Sequence, residues 1–154
     1  MNDKLILELE IFNEQYNKLD DIYHQLAKYS GISDTAFWII YAIQENKKSY
    51  TQRDICKLWS CSKQTINSAL KNLEKEELIK LEYITNNKDK QILLTEKGHK
   101  YIEKNIIPLM QAEQEAFGRL KETERKQLLN IMEKYIIQLY KETDAIIKKG
   151  EKSV

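Results

Sequence analysis

A chain of 154 residues is long enough for one domain with a sizeable hydrophobic core, and its four glycines and single proline leave little room for linkers, so we expect a mostly helical protein. The net charge of +1 provides no overall attraction to nucleic acid. No apolar run approaches the roughly eighteen residues of a membrane span, and the amino terminus lacks a signal-peptide pattern, so we expect a cytoplasmic protein that does not contact membranes.

The amino-terminal segment is predicted to form a long amphipathic helix. Residues 5–11 alternate between apolar and polar as in a strand, but the seven-residue period continues to Leu26, which favours a helix. Apolar residues recur at steps of four and three, as in a coiled-coil seam: Leu5, Leu9, Phe12, Tyr16, Leu19, Tyr23 and Leu26.

A second, shorter helix is predicted to end near Ile43. Either Ser33 or Asp34 can cap its start. Its large apolar side chains should be buried and should support the segment that follows. They are Phe37, Trp38, Ile40 and Tyr41.

Residues 51–75 are predicted to form a helix-turn-helix. Thr51 and Asp54 have the spacing of a capping box, which begins a short helix with the apolar pair Ile55 and Leu58. Residues 59–61 interrupt this helix, and Ser62 can cap the next one.

The second helix of this pair has a polar and basic face opposite its apolar residues Ile66, Leu70 and Leu73. Such polar side chains can hydrogen-bond base edges and phosphates in a major groove. The alternative is the solvated face of an ordinary amphipathic helix. The candidate DNA-contacting residues here are Arg53, Ser62, Lys63, Gln64, Thr65, Asn67, Ser68 and Lys71.

A two-stranded ribbon is predicted next, with strands at 78–84 and 91–95 and a polar tip between them. Lys88 and Lys90 lie at the tip, where a cation could contact phosphates or enter the minor groove. A helix-turn-helix followed by such a ribbon forms a winged helix.

Positive charge is concentrated in residues 47–71, although the chain as a whole is nearly neutral. Six cations lie there against the single carboxylate of Asp54: Lys47, Lys48, Arg53, Lys57, Lys63 and Lys71. Acidic residues are more frequent toward both ends. This distribution would orient the basic face toward nucleic acid.

The carboxyl-terminal part is predicted to be helical. Thr95 can cap a helix that Pro108 should kink or divide. A second heptad-like stripe follows at Leu128, Met132, Tyr135, Leu139 and Ile146. The two terminal stripes have more apolar surface than one winged helix can cover, so we expect them to pair with a second copy of the chain. The alternative is that each helix packs only within its own chain.

Five segments together resemble the MarR (multiple antibiotic resistance regulator) family of bacterial winged-helix repressors. They lie at residues 33–42, 51–56, 62–67, 70–75 and 94–98, and the resemblance extends over almost the whole chain. It implies an α+β fold, mainly α with a small β-wing. It further implies an obligate homodimer with a winged-helix lobe at 33–95 and dimerisation regions at 1–29 and 96–148. The implied function is that of a transcriptional repressor that binds double-stranded DNA.

The wing departs from the family pattern. The usual Asp-x-Arg falls on Asn86, Asn87 and Lys88. Lysine is more strongly hydrated than arginine and fits a narrow groove less well. The wing contact should therefore be weaker or less selective.

A twofold dimer would place its recognition helices about 34 Å apart and would require a palindromic operator. An effector that changes this separation would relieve repression. By resemblance, the effector is a small aromatic or phenolic molecule held between the dimerisation helices and the DNA-binding lobe. The candidate lining residues, which could instead belong to the core, are Tyr16, Tyr23, His24, Phe37, Trp38 and Tyr41.

Other functional classes have weaker sequence support. Cys56 and Cys61 could sense oxidants only if their geometry allowed it, and reduced structural thiols are favoured. His24 and His99 lack metal-ligand spacing, so neither metal nor cofactor is expected. We find no phosphate-binding loop, nucleophile elbow or carboxylate dyad in the sequence, so we do not expect an enzyme. The remaining alternative is a winged-helix adaptor that binds protein through an apolar recognition face.

Overall fold

The computed structural model describes residues 3–46, 50–59, 61–83 and 90–151. The helices are α1 (Asp3–Ser30), α2 (Asp34–Asn46), α3 (Gln52–Trp59), α4 (Lys63–Lys75), α5 (Glu96–Tyr101), α6 (Ile107–Gly118) and α7 (Glu122–Glu151). The strands are β1 (Tyr50–Thr51), β2 (Ile79–Tyr83) and β3 (Lys90–Leu94). This confirms the mainly α fold with a small β-sheet. Across these ranges, no helix combines the length and apolarity needed to cross a membrane.

The sheet is antiparallel, with strand order β1-β3-β2. Tyr83 pairs with Lys90 at one end of the ribbon, and Ile79 pairs with Leu94 at the other. The predicted ribbon is confirmed, but Leu78 and Thr95 lie just outside its strands. β1 was not predicted, because two residues are too few to show a period.

The core of the first unit, Met1–Pro108, contains the apolar side of α4. Ile66, Leu70 and Leu73 are buried as predicted, and so is Ile55 of α3. Leu58, the other member of the apolar pair in α3, is 52% exposed.

α2 begins as predicted and ends beyond Ile43, at Asn46. The Ser33 Oγ accepts a hydrogen bond from the Ala36 N–H at 3.4 Å. Phe37 and Ile40 are buried, whereas Trp38 and Tyr41 are only partly covered. The expectation of four buried side chains is therefore correct for two.

α1 is the predicted long helix, and it ends at Ser30, immediately before Gly31. That glycine has φ +81°, a left-handed conformation that residues with a Cβ rarely adopt, and its N–H donates to the Lys28 carbonyl at 3.2 Å. Seam residues of α1 are exposed, including Leu5 at 61% and Leu9 at 45%. The helix therefore presents an apolar stripe.

Thr95 caps α5 as predicted, with its Oγ1 accepting from the Gly98 N–H at 2.9 Å. A π-helical turn, Ile102–Ile106, then separates α5 from α6, and Pro108 follows within the first turn of α6. Because proline has no N–H to donate, a change in helical pitch before it is expected. The predicted division near Pro108 is confirmed.

The second unit, Leu109–Val154, contains most of α6 and all of α7. The Lys121 N–H donates to the Glu124 carboxylate at 2.7 Å at the start of α7. The Arg125 guanidinium donates to the Leu120 carbonyl and so ties the connection to the helix. The apolar stripe of α7 is also exposed, with Leu139 at 46%.

Candidate nucleic-acid interface

A reciprocal hydrogen-bonded cap fixes the start of α3. The Asp54 carboxylate accepts from the Thr51 N–H at 2.9 Å and from the Thr51 hydroxyl at 2.7 Å, while the Asp54 N–H donates to Thr51 Oγ1 at 3.2 Å. The bond from the Thr51 N–H, followed by that from its hydroxyl, lowers the pKa of Asp54. The ionised carboxylate also interacts favourably with the positive end of the helix dipole. The predicted capping box is confirmed.

α3 is attached directly to the start of α4. The Gln52 Nε2 donates to the Lys63 carbonyl at 3.0 Å. This bond crosses the turn of the helix-turn-helix and joins residues eleven positions apart. It therefore ties the two helices of the helix-turn-helix to each other.

Ser62 caps α4 as predicted, accepting from the Thr65 N–H at 3.1 Å. The Ser62 and Thr65 hydroxyls lie 2.8 Å apart, and the Ser68 hydroxyl donates to the Gln64 carbonyl at 3.0 Å. A serine hydroxyl has one hydrogen, so Ser68 has no donor left for a phosphate in this arrangement. Of the polar side chains on α4, the lysines therefore remain the candidates for contacting phosphate.

The outer face of α4 is polar and positively charged. Lys63, Gln64, Thr65, Ser68 and Lys71 are exposed. Asn67 is partly buried, on the edge between this face and the buried Ile66. α4 therefore has the predicted separation of polar and apolar faces. Arg53, on α3, is also exposed.

Lys90 is the first residue of β3 and not part of the tip, where it was predicted. Its ammonium lies 4.9 Å from the centre of the Tyr83 ring. Tyr83 was not a sequence candidate, because its position beside Lys90 depends on strand register. Lys88, together with Asn86 and Asn87, lies outside the described residues, as do Lys47 and Lys48. Of the two predicted wing lysines, only Lys90 has a described environment.

Four candidate effector residues form an aromatic cluster around Trp38. Its ring centroid is 4.9 Å from that of Tyr23, 5.9 Å from Phe37 and 5.3 Å from Tyr41. The cluster connects α1 with α2. Tyr16, an earlier residue of α1, is 61% exposed.

His24 also connects α1 with α2. Its Nδ1 lies 2.8 Å from the Asp34 carboxylate. This hydrogen bond, followed by the charge of Asp34, raises the pKa of His24. The pair lies on the surface, so protonation requires no large desolvation.

The two thiols are free and partly covered. The Cys61 thiol donates to the Trp59 carbonyl at 3.5 Å, where the chain turns toward α4. Across the described ranges, no group of three His, Cys, Asp or Glu residues is placed to hold a metal ion.

The helix-turn-helix and its antiparallel ribbon define a winged-helix protein. A model of the MarR family matches residues 30–91, which include most of this unit. Solved structures of MarR-family regulators share the fold over most of the chain. The chain therefore has a segment that matches the MarR family and a fold similar to that of solved MarR-family transcriptional regulators.

Three solved structures illustrate the likeness. Sco3205, a MarR-family transcriptional regulator from Streptomyces coelicolor in complex with DNA, has 17% identity and a TM-score of 0.74, covering 90% of this chain and 93% of its own. A MarR-family regulator from Listeria monocytogenes complexed with a 26-mer DNA has 25% identity and a TM-score of 0.67, and the match covers 85% of this chain and 87% of the Listeria chain. Staphylococcus aureus MarR with salicylate and kanamycin has 22% identity and a TM-score of 0.68, covering 88% and 94%. The curated proteins contain no match.

Proposed function

We propose that this chain is a homodimeric repressor that binds a palindromic operator in double-stranded DNA. A small aromatic or phenolic effector would release it. The carrying observation is α4, whose polar and basic outer face lies opposite a fully apolar inner face. Two structurally similar family members are described as complexes with DNA.

The chemistry of α4 favours DNA over a protein partner. Lys63 and Lys71 provide cations for phosphates, and Gln64 and Asn67 carry amides that can donate to and accept from base edges. An adaptor that binds protein would need an apolar anchor in this position. The side of α4 with apolar residues is instead buried in the core.

Dimerisation is proposed from the exposed stripes of α1 and α7. Apolar side chains repeated at heptad spacing are stabilised when a second helix covers them. We assign residues 1–29 and 96–148 to dimerisation and 33–95 to DNA binding. Twofold symmetry would then require an inverted repeat, with two half-sites one DNA turn apart.

The effector is proposed to act near the Trp38 cluster, because that cluster joins the proposed dimerisation helix α1 to the lobe containing α4. A ligand that separates Tyr23 from Trp38 would move α1 relative to the lobe that contains α4. Staphylococcus aureus MarR is described in complex with salicylate. Salicylate is therefore the first effector to test.

The proposal is tested by selecting duplexes from a random DNA pool with the purified protein. We expect enrichment of an inverted repeat with half-sites about ten base pairs apart. A reporter behind that repeat should be repressed by the protein and released by the effector. Failure to enrich any sequence at low and moderate salt, with a folded protein, would contradict operator binding. Enrichment of an unpaired half-site would contradict the dimeric arrangement.

A further inference from the structure

A surface cleft of about 490 Å³ lies where the end of α1 meets the turn before β2 and α5. This volume is within the range of small-molecule pockets. Its lining is rich in lysine and tyrosine, and none of the lining residues is among the candidate DNA or effector contacts. They include Lys97, Lys100, Lys104, Tyr29 and Tyr101.

The three lysines lie along one side of the chain from α5 into the π-helical turn. Their separations of three and four residues place them near one another, over about 10 Å of helix axis. Lys97 lies 3.8 Å from the Glu77 carboxylate, and Lys100 lies 2.8 Å from that of Glu96. All four side chains are more than half exposed. Such pairs contribute little free energy, so an anion of higher charge can replace the carboxylates.

Hydrogen bonds hold the floor of the cleft in place. The Tyr101 hydroxyl donates to the Ser30 carbonyl at 3.2 Å, and the Asn105 Nδ2 donates to the Tyr101 carbonyl at 3.0 Å. Burial raises the pKa of Tyr101, so its phenol adds no negative charge beside the lysines. Tyr29, which is 86% exposed, contributes an aromatic ring at the rim.

We propose that this cleft binds a small organic phosphate, with the three lysines around the phosphate and the Tyr29 ring against a planar organic part. A phosphate monoester carries nearly two negative charges at neutral pH and three acceptor oxygens, which can be shared among three ammonium groups. A carboxylate has one charge and two oxygens. The arrangement therefore favours phosphate, and an aromatic ring adds stacking for a nucleobase or a similar group.

The proposal is tested by isothermal titration calorimetry of the full chain with AMP, inorganic phosphate, adenosine and benzoate. We expect saturable binding of AMP, weaker binding of phosphate, and still weaker binding of adenosine and benzoate. Absence of AMP binding would overturn the site. Benzoate binding as tight as that of AMP would overturn the preference for phosphate.

Variants assign the binding to the cleft. Lys100→Ala and Lys104→Ala should each weaken AMP binding about three- to tenfold, because each removes one charged hydrogen bond. Lys126→Ala is the matched control, since Lys126 is an exposed lysine of α7 paired with Glu122 in the same i,i+4 geometry as Lys100 and Glu96. Tyr29→Leu should weaken AMP binding while leaving inorganic phosphate binding unchanged.

Equal reductions of AMP affinity in Lys100→Ala and Lys126→Ala would indicate general charge attraction and overturn the site. Retention of wild-type AMP affinity in Lys100→Ala and Lys104→Ala would also overturn it. The measurement contains no DNA, so its outcome is independent of operator binding. Circular dichroism should confirm that each surface variant retains its helical content.

Discussion

The Lys90 ammonium lies 4.9 Å from the centre of the Tyr83 ring, and the two residues are direct cross-strand partners in the ribbon. Tyr83 is 71% exposed, so the contact is on the surface and not part of the core. An aromatic face attracts a cation and narrows the range of positions that a long side chain samples. Tyr83 therefore places Lys90 at the base of the proposed wing.

Replacing Tyr83 with leucine should weaken operator binding about two- to fivefold, since an exposed cation–π contact is worth about 0.5–1 kcal/mol. Tyr83→Phe retains the ring and should bind like the wild type. Fluorescence anisotropy with the selected operator would measure both. Wild-type affinity in Tyr83→Leu would mean that Lys90 needs no such positioning or does not contact DNA.

The lysines of α4 should determine the salt dependence of DNA binding. Each phosphate that Lys63 or Lys71 neutralises should add about one unit to the slope of log affinity against log salt, so alanine at either position should make that slope shallower by about one unit. Gln64→Ala should leave this slope unchanged but relax one operator position by about 1–3 kcal/mol. An unchanged slope in both lysine variants would place these side chains away from phosphate.

Local hydrogen bonding made several elements predictable from sequence. Ser62 and Thr95 cap helices through side-chain oxygens that reach N–H groups three residues later, and this geometry depends only on neighbouring residues. The exposure of Leu58 and the pairing of β1 depend on which surfaces meet in space. No periodicity within the chain contains that information.

The same distinction applies to the candidate site. The polar outer face of α4 follows from helical spacing, so it could be predicted from residues 62–75 alone. Tyr83 and Gln52 could not, because one depends on strand register and the other on a bond to Lys63 across a turn. Among the effector candidates, Tyr23 and Trp38 meet only because α1 and α2 pack together.

Charge placed in the apolar stripes should prevent dimerisation. Leu9 is 45% exposed and Leu139 is 46% exposed, and we expect a partner chain to cover both. Leu9→Asp combined with Leu139→Asp would place two carboxylates in that apolar interface. Analytical ultracentrifugation should detect monomers, and these should bind the operator poorly. Asn17→Asp adds a charge to an exposed position of α1 outside the seam and should remain dimeric. A stable dimer of the double variant would show that the interface lies elsewhere.

The surface pair between His24 and Asp34 should make stability depend on pH. Because the folded pKa of His24 is raised, its stabilising contribution is present below the unfolded value of about 6.5 and is lost as pH rises through the folded pKa. Proton NMR should show the imidazole of His24 titrating above its ordinary value. Asp34→Asn should return it toward that value, with His24→Gln used to assign the signal. An unchanged pKa in Asp34→Asn would contradict the role of this carboxylate.

Gly98 is required by the close approach of α5 to the turn before β2. The Leu78 carbonyl accepts from the Thr95 N–H at 3.1 Å, and a Cβ on Gly98 would clash with that carbonyl oxygen and lie 3.1 Å from its carbon. Backbone atoms held by the cap and the sheet cannot move aside as a flexible side chain could. Gly98→Ala should therefore lower the free energy of unfolding by about 1–3 kcal/mol.

The matched control is Gly118→Ala at the end of α6, where an added Cβ would meet no atom within 4 Å. Alanine has the higher helix propensity, so this change should be neutral or slightly stabilising. Thermal unfolding at one protein concentration would compare the two, since the melting temperature of a dimer varies with concentration. Equal melting temperatures for the two variants would mean that α5 can move away from Leu78 without cost, and the close approach would then not explain the glycine.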